Sequence, residues 1–350
     1  MSPFHPAATA PTITLAPAAG AFPAFPVSWY FFGSLAELEQ GPVSKEIFGQ
    51  RLVAFRTERG VVRIMDARCS HFGTDLGKGY VVGEAIQCPY HHWEFGTDGH
   101  CTHIPAGDPI PAFARQRCYP SAERHGYLFV FNDRTALFPL PFYEGENPDE
   151  LICSTPHEAV LDCPWYLIGA NAFDLQHYRA AHDRVLLDEP EIVCPSPYSR
   201  RASARFGVSG NSLQDRLTRL VAGPEAALSL TDYGGNMMLA TARFRRASSF
   251  GLVMTQPLGE HQVLVRLMVM KRRTRTPLLS WWYDRLSVNI RKIFFRNFLL
   301  ADAARLEGVR YHPGRLIAAD KHLKEYFQWL VTASQGAQLY NPPSTPLLNS

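Results

Sequence analysis

Short apolar runs separated by turn residues fill the chain from Trp29 to about Asn132. The clearest of these runs cover residues 51–55, 61–65 and 127–132. Turns rich in Gly and Asp lie between them. Strands this short, at this spacing, predict a small β-sandwich or β-barrel.

Further along the chain the pattern mixes helices with strands. Residues 133–156 are rich in Pro, Asp and Glu, and we interpret them as a linker. The periodicity then predicts a helix over 166–182, a strand-rich stretch over 191–270, a long helix over 278–307 and a second one over 320–333. The fold class predicted is therefore α+β, with an all-β region followed by a mixed region.

The first 26 residues are rich in Pro and Ala and contain no Lys or Arg. This composition fits neither a signal peptide nor a membrane-spanning helix, and it predicts a flexible arm over residues 1–26. The remaining apolar runs are too short to cross a bilayer. We therefore expect a cytoplasmic protein without a membrane span.

Composition narrows the class of protein further. The chain has 350 residues, enough for two domains, and its net charge of +3 is too small to favour nucleic-acid binding. Its seven cysteines are an odd number in a long chain, which argues against a disulfide scaffold. Reduced thiols are expected instead, some of them as metal ligands.

The first chemical motif consists of two short cysteine–histidine pairs. Cys69-Ser-His71 and Cys88-Pro-Tyr-His91 each supply one thiolate and one imidazole, and 16 residues separate the pairs. Two thiolates holding one iron and two histidines holding the other would raise the reduction potential of a two-iron cluster. The alternatives are a tetrahedral Cys₂His₂ zinc site, as in a zinc-binding structural module, and loop residues without a ligand.

These residues resemble the ligand motif of a Rieske [2Fe–2S] domain. The resemblance implies that Cys69, His71, Cys88 and His91 bind the cluster, and the proline after Cys88 would stiffen the second loop. One position departs from the pattern, because most oxygenases of this kind have Gly where this chain has His92. We interpret His92 as a surface residue.

The second motif contains Asn171, Asp174, His177 and His182. Asp174 and His177 would share one face of a regular helix. His177 and His182 would lie about 140° apart around it, so they bind one metal only if a π-bulge or a break separates them. Two imidazoles and a carboxylate form the facial triad of non-haem iron(II) oxygenases. The alternative is a helix with two surface histidines.

This stretch resembles the Asn-x-x-Asp-x-x-His-x-x-x-x-His motif of Rieske non-haem iron oxygenases. The resemblance implies that His177 and His182 are iron ligands and that an aspartate in a late helix is the third. Asp302 fits this place best, and Asp284 and Glu307 are the alternatives.

The same resemblance gives Asp174 and Asn171 different roles. The family's carboxylate at the position of Asp174 bridges a Rieske histidine of one subunit, here His91, to an iron-binding histidine of its neighbour. Asn171 matches a residue near the iron. The Glu that often precedes this Asn is Ala170 in this chain.

The resemblance covers roughly residues 27–335 and implies a division of the chain. A Rieske domain over 27–133 would precede a catalytic domain over 134–350, with a helix-grip fold built on an antiparallel sheet. The implied cofactors are a [2Fe–2S] cluster and a mononuclear Fe(II). The implied assembly is a homotrimer that receives electrons from NAD(P)H through a separate reductase or ferredoxin.

Residues 65–73, 86–93 and 100–105 resemble arylamine N-oxygenases within the family, including the paired histidines at 91–92. This favours a monooxygenase that acts on an aromatic or heteroaromatic molecule, with oxidation of an aryl amine nitrogen to a nitro group as the preferred reaction. The alternatives are carbon hydroxylation, demethylation or desaturation at the same iron. From another class, the chain would be a Rieske electron carrier without a second iron.

Overall fold

The computed structural model describes residues 15–177, 184–208, 223–274 and 280–336, together with positions 216, 219 and 220. The first part of this chain is all β, and its strands form three small antiparallel sheets. In chain order the strands are β1 (Trp29–Ser34), β2 (Val43–Ile47), β3 (Gln50–Arg56), β4 (Val62–Asp66), β5 (Tyr80–Val82), β6 (Ala85–Gln87), β7 (Glu94–Gly96), β8 (Cys101–His103), β9 (Cys118–Tyr119), β10 (Ser121–Arg124) and β11 (Tyr127–Phe131).

The sheets pair in the orders β1-β11-β10, β2-β3-β4-β9 and β5-β6-β7-β8. Strand β3 divides the interior of this region into two cores, because successive side chains of a strand point to opposite faces. Val53 and Phe55 face the core that contains Cys69 and Cys88. Leu52 and Ala54, at the alternate positions of β3, face the other core. The alternation therefore places one apolar layer directly beneath the two cysteine–histidine loops.

The second part of the chain is built on one large antiparallel sheet. Its path is β12-β20-β19-β18-β17-β16-β14, with β13 paired to β20 and β15 paired to β16. The strands are β12 (Leu151–Cys153), β13 (His157–Leu161), β14 (Arg184–Leu186), β15 (Glu191–Ser196), β16 (Ser199–Val208), β17 (Glu225–Tyr233), β18 (Met237–Phe244), β19 (Ser248–Pro257) and β20 (Val263–Arg272).

Three helices of the described residues accompany this sheet: α1 (Tyr166–Ala170), α2 (Ser280–Leu306) and α3 (Lys321–Ser334). Helix α3 buries Tyr326, Phe327 and Leu330, which recur at the spacing of one helical face, against the residues of α1. The predicted order, an all-β region followed by an antiparallel sheet with few helices, is confirmed, and so are both late helices. No helix in the described part of the chain has the length and apolar character needed to cross a membrane.

The two regions share a core, which includes the segment predicted as a linker. Trp29 and Phe131 from the first region pack in one cluster with Met237 and Met268 from the large sheet. Tyr143, from the predicted linker, is buried in the same cluster. The apolar residues within this Pro-rich segment therefore fill the space between the two regions.

The N-terminal segment differs from the flexible arm that its composition predicts. Phe22 stacks on Tyr166 with ring centroids 4.1 Å apart. The Trp165 indole donates to the carbonyl of Pro23 at 3.1 Å. Proline lacks an N–H but keeps its carbonyl acceptor, so a Pro-rich segment can still be fixed by donors from a neighbouring helix. Residues 1–14 lie outside the described residues.

A buried ion pair joins β20 to α2. Lys271 and Asp284 are in contact, and each side chain is 6% exposed. The Thr274 hydroxyl also donates to Asp284 Oδ1 at 2.6 Å. The charge of Lys271 is therefore compensated within the protein, and the start of α2 is fixed to the end of β20.

We expect Asp284→Ala to lower the free energy of unfolding by about 3–5 kcal/mol, because it leaves the ammonium group buried without a compensating charge and with the Thr274 hydroxyl as its acceptor. Chemical denaturation measures this loss. The double variant Lys271→Met/Asp284→Leu removes both charges and is expected to recover most of it. A loss below about 1 kcal/mol for the single variant would mean that water reaches Lys271.

Candidate functional site

Two loops of similar construction carry the cysteine–histidine pairs. The first follows β4, and the Gly73 N–H donates to the carbonyl of Cys69 at 2.8 Å. The second follows β6, and the His92 N–H donates to the carbonyl of Cys88 at 3.1 Å. Each loop is therefore closed by a backbone hydrogen bond over four residues, which turns its cysteine inwards and its histidine towards the surface.

The side chains of the two loops converge. Cys69 and Cys88 are 3% and 2% exposed, and both belong to the same buried cluster. The rings of His71 and His91 lie 4.6 Å apart between centroids. His71 Nδ1 is buried without a hydrogen-bond partner among the described residues. The two loops thus bring both cysteines into one buried cluster and both imidazoles next to each other, and a buried ring nitrogen remains available to a metal.

The protonation of Cys69 is set by its surroundings. Burial raises the pKa of this thiol to about 11, the backbone N–H groups of His71 and Phe72 act in the opposite direction, and Cys88 raises the pKa further. A metal cation deprotonates a coordinating thiol outright. The donor set therefore fits a metal cluster, which would supply the positive charge that two buried thiolates require.

Aromatic rings surround the histidine end of these loops. Trp93 lies parallel to His71 with centroids 4.2 Å apart, which fixes the plane of that imidazole. Tyr90 contacts His91 at 4.0 Å between centroids. Phe72 and Tyr90 are 72% and 57% exposed, so large apolar rings lie at the surface beside the two histidines.

His92 is exposed, as predicted, and its backbone is in the left-handed region with φ of +59°. This conformation costs most L-residues about 1–2 kcal/mol and costs glycine nothing. The family's preference for Gly at this position therefore has a local explanation in this chain.

The second motif is not one continuous helix, so the predicted helix over 166–182 is wrong. Helix α1 ends at Ala170, a 3₁₀ turn covers Asn171–Phe173, and Asp174 is extended with φ of −87° and ψ of 95°. Asp174 Oδ1 accepts the N–H groups of Gln176 and His177 at 3.0 and 3.1 Å. Asp174 thus caps a new helical turn. Its bonds to the backbone N–H groups favour the start of this turn over continuation of the preceding helix.

His177 and Asp302 meet although 125 residues separate them in the chain. His177 Nε2 lies 3.0 Å from Asp302 Oδ1, on α2, and 3.2 Å from Asn171 Nδ2. The side chains of His177 and Asp302 are 12% and 21% exposed. An imidazole, a carboxylate and an amide therefore converge at one partly buried point, which fits a cation that prefers nitrogen and oxygen ligands.

The other predicted residues have different surroundings. Both oxygens of Asp284 accept hydrogen bonds from Thr274. Glu307 Oε2 accepts the N–H of Asp162 at 3.4 Å. His182 lies outside the described residues, and within them no group of three His, Cys, Asp or Glu side chains forms a complete metal site. Among the hydrogen bonds of the described residues, none joins Asp174 to His91 within one chain.

A buried pair adjoins this site and was missed in the sequence. Phe173 stacks on Tyr326 with centroids 4.6 Å apart, and the Tyr326 hydroxyl donates to Asp232 Oδ2 at 2.5 Å. The only local signal is a carboxylate near the end of an apolar strand, just before the turn at Gly234 and Gly235. That signal does not identify the partner, because Tyr326 is 94 residues away.

Residues 28–114 match the model of the Rieske [2Fe-2S] domain family. Among curated proteins, aminopyrrolnitrin oxygenase PrnD of Pseudomonas fluorescens is 35% identical over 164 residues, which cover 44% of this chain and 45% of that protein. The oxygenase component of 3-ketosteroid-9-alpha-monooxygenase of Rhodococcus rhodochrous is 40% identical over 139 residues, which cover 38% and 36%. The chain thus spans less than half the length of these relatives.

Solved structures match over a larger share of the chain. The NdmA QL mutant of Pseudomonas putida CBB5 with theobromine has a TM-score of 0.63 at 19% identity, covering 86% of this chain and 88% of that one. Dicamba monooxygenase bound to dicamba has a TM-score of 0.61 at 19% identity, covering 90% and 98%. The predicted resemblance to Rieske oxygenases is confirmed, for the N-terminal domain by the family match and for the fold by these structures.

We expect His92→Gly to raise the free energy of unfolding by about 0.5–1 kcal/mol, because relief of the left-handed strain exceeds the added entropy of the unfolded chain. Denaturation of both proteins measures the gain. His103→Gly, at an exposed position in strand β8, is the matched control and is expected to lose stability. A destabilised His92→Gly variant would show that the imidazole makes stabilising contacts of its own.

Proposed function

We propose that this chain is the oxygenase component of a Rieske non-haem iron system that uses O₂ and externally supplied electrons to oxygenate an aromatic or heteroaromatic small molecule. The observation that carries the proposal is the contact between His177 and Asp302 in a chain that also contains a Rieske domain. A Rieske electron carrier would have no use for a second set of converging metal-binding side chains.

Cys69 and Cys88 would bind one iron of a [2Fe–2S] cluster, and His71 and His91 would bind the other. The burial of both cysteines in one cluster and the unpartnered His71 Nδ1 support this assignment. When bound, the cluster supplies one electron at a time at a potential raised by its histidine ligands. Trp93 would hold the His71 ring in its plane.

His177, His182 and Asp302 would hold the mononuclear iron. Asp302 is favoured over the alternatives because its Oδ1 faces His177 Nε2, whereas Asp284 is paired with Lys271. An iron(II) bound by two imidazoles and one carboxylate keeps positions open and supplies the activation of O₂. Asn171 Nδ2, 3.2 Å from the same His177 Nε2, would lie beside the iron.

Asp174 would connect the two metal centres of neighbouring subunits in a homotrimer. Its Oδ1 is used by the backbone of the new helical turn, which leaves Oδ2 for an imidazole such as His91 of a neighbouring subunit. Phe72 and Tyr90 are exposed beside His91, and burial of these rings would stabilise a subunit contact at that place. Electrons would come from NAD(P)H through a separate reductase or ferredoxin.

The favoured substrate is an aryl amine whose nitrogen is oxidised to a nitro group. The similarity to aminopyrrolnitrin oxygenase supports this choice, and so do the residues around the cluster. Other relatives keep the alternatives open, since they include a 3-ketosteroid 9-alpha-monooxygenase, a chloroacetanilide N-alkylformylase and a cholesterol 7-desaturase. Carbon hydroxylation, demethylation and desaturation by the same iron are therefore the second candidates.

We expect the reduced protein, supplied with a surrogate ferredoxin system and O₂, to convert aryl or heteroaryl amines into hydroxylamine, nitroso or nitro products. Mass spectrometry of a panel that pairs each amine with its amine-free analogue measures the conversion. His177→Ala is expected to abolish it. Carbon-centred products alone would exclude the amine hypothesis and retain the oxygenase.

A second prediction tests the carboxylate ligand without turnover. Asp302→Asn is expected to lower iron from about three to about two atoms per chain and to keep the visible absorption of the cluster, because only the mononuclear site loses a ligand. Iron and labile sulfide are measured on the same sample. Glu307→Gln is the control and is expected to keep all the iron. Iron loss in this control with full occupancy in Asp302→Asn would transfer the ligand role to Glu307.

A further inference from the structure

A buried carboxylate that the proposed chemistry does not use lies behind the segment that carries His177. Asp232, near the end of β17, is 1% exposed. Its Oδ2 accepts the Tyr326 hydroxyl at 2.5 Å, and its Oδ1 accepts the Gly235 N–H at 3.0 Å. Both oxygens act as acceptors, which is the arrangement of an ionised carboxylate.

Burial of this group carries a cost. Desolvation raises the pKa of Asp232 to about 7, although the Tyr326 hydroxyl and the backbone N–H groups of Gly235 and Tyr233 act in the opposite direction. A buried polar group costs free energy even when it is paired, and apolar residues of the same volume often stabilise a core as well. A carboxylate at this buried position, where an apolar residue would be as stable, indicates that its directional hydrogen bonds have a structural role.

Helix α1 lies directly on the pair. A Cβ added at Gly169 would lie 2.1 Å from the Tyr326 hydroxyl oxygen and 2.5 Å from Asp232 Oδ2. Only glycine leaves room for this approach of the backbone. The pair therefore sets the distance between α1 and the sheet at Gly169. This residue lies two positions before Asn171.

Tyr326 also contacts the other end of the same segment. Its ring stacks on Phe173 with an interplanar angle of 17°, and both side chains are fully buried. Phe173 directly precedes Asp174, the residue at which the chain turns and starts the helical turn of His177. One phenol thus contacts the segment at Gly169 through its oxygen and at Phe173 through its ring.

We propose that Asp232 and Tyr326 are a positioning pair that fixes the backbone of residues 169–173 and thereby the place of His177 relative to Asp302. Stacking alone would allow the Tyr326 ring to slide along the Phe173 ring. The hydrogen bond to Asp232 removes that freedom, because its direction is set by the carboxylate and by the Gly235 N–H. The inference rests on the proposed function in so far as the positioned imidazole is a metal ligand.

The charged groups around Tyr326 support a fixed ring. The guanidinium of Arg200, on β16, lies 5.8 Å from the centroid of Phe173 and 3.3 Å from Glu325 Oε2 on α3. His322 also contacts Glu325, at 3.3 Å. The Arg200–Glu325 pair joins β16 to α3 next to Phe173, and the His322–Glu325 contact, within α3, orients the same carboxylate.

Tyr326→Phe tests the pair because it removes one oxygen and keeps the ring. Hydrogen–deuterium exchange of peptides covering residues 166–177 is measured on the metal-free full-length protein. Exchange is expected to rise about tenfold, the effect of losing one buried hydrogen bond to a charged group. Tyr311→Phe is the matched control, since it removes a hydroxyl that donates to the carbonyl of Pro17 at 2.9 Å and keeps a ring that contacts Tyr166 in the same segment.

A spectroscopic readout tests the position of His177. Cobalt(II) replaces the mononuclear iron, and its visible ligand-field bands report the ligand geometry. In Tyr326→Phe these bands are expected to broaden or shift and the cobalt affinity to fall by about tenfold. In Tyr311→Phe both are expected to match the original protein.

The outcomes separate this inference from the proposed function. Unchanged exchange in Tyr326→Phe, or an equal rise in Tyr311→Phe, overturns the positioning pair. Failure of the original protein to bind cobalt at a site that needs His177 overturns the proposed iron site, while the exchange experiment still decides the pair. If Tyr326→Phe does not fold, Asp232→Asn, which keeps the volume but removes the charge, is read against the same control with the same expected rise in exchange.

Discussion

The burial of ionisable side chains, each of which needs a partner that offsets its lost hydration, is the constraint on which this structure depends. Cys69 and Cys88 lie on the apolar layer formed by Val53 and Phe55. Burial raises the pKa of the Cys69 thiol, and a metal cluster between the two loops would favour its thiolate. Both loops are closed by short backbone bonds, which fix the positions of the two cysteines.

The same constraint distinguishes three aspartates in the second region. Asp284 is compensated by Lys271 and so contributes to stability. Asp232 is satisfied by a phenol and a backbone N–H, and it lies behind the site. Asp302 faces His177 at 3.0 Å, in a partly exposed position. Their partners, more than their positions in the sequence, decide which carboxylate is available for chemistry.

The break at Asp174 links fold to site. An uninterrupted helix from Tyr166 would carry Asn171 and His177 on different turns of one cylinder. With the 3₁₀ turn and the capping carboxylate, the Asn171 amide and the Asp302 carboxylate both reach His177 Nε2. Such irregular backbone is stable only when its surroundings determine it. The packing of Phe173 on Tyr326 provides this support.

The sequence by itself determined the features that depend on short spacings. The cysteine–histidine pairs could be read directly, because each pair lies within four residues and one loop can present both donors. The strands could be predicted from short apolar runs between turn residues. Both late helices could be predicted from the helical repeat of apolar positions. His92 was visible as a departure from a pattern, although its left-handed backbone was not.

Only the tertiary structure decided the features that depend on distant partners. The contact between Asp302 and His177 depends on the packing of α2, and the sequence left Asp302, Asp284 and Glu307 as alternatives. The break at Asp174 depended on a competition between capping and helix continuation, which a pattern of residue types leaves open. The pairing of Asp232 with Tyr326 joins residues 94 apart, and chain spacing carries no information about such a contact until the sheet and helices are packed.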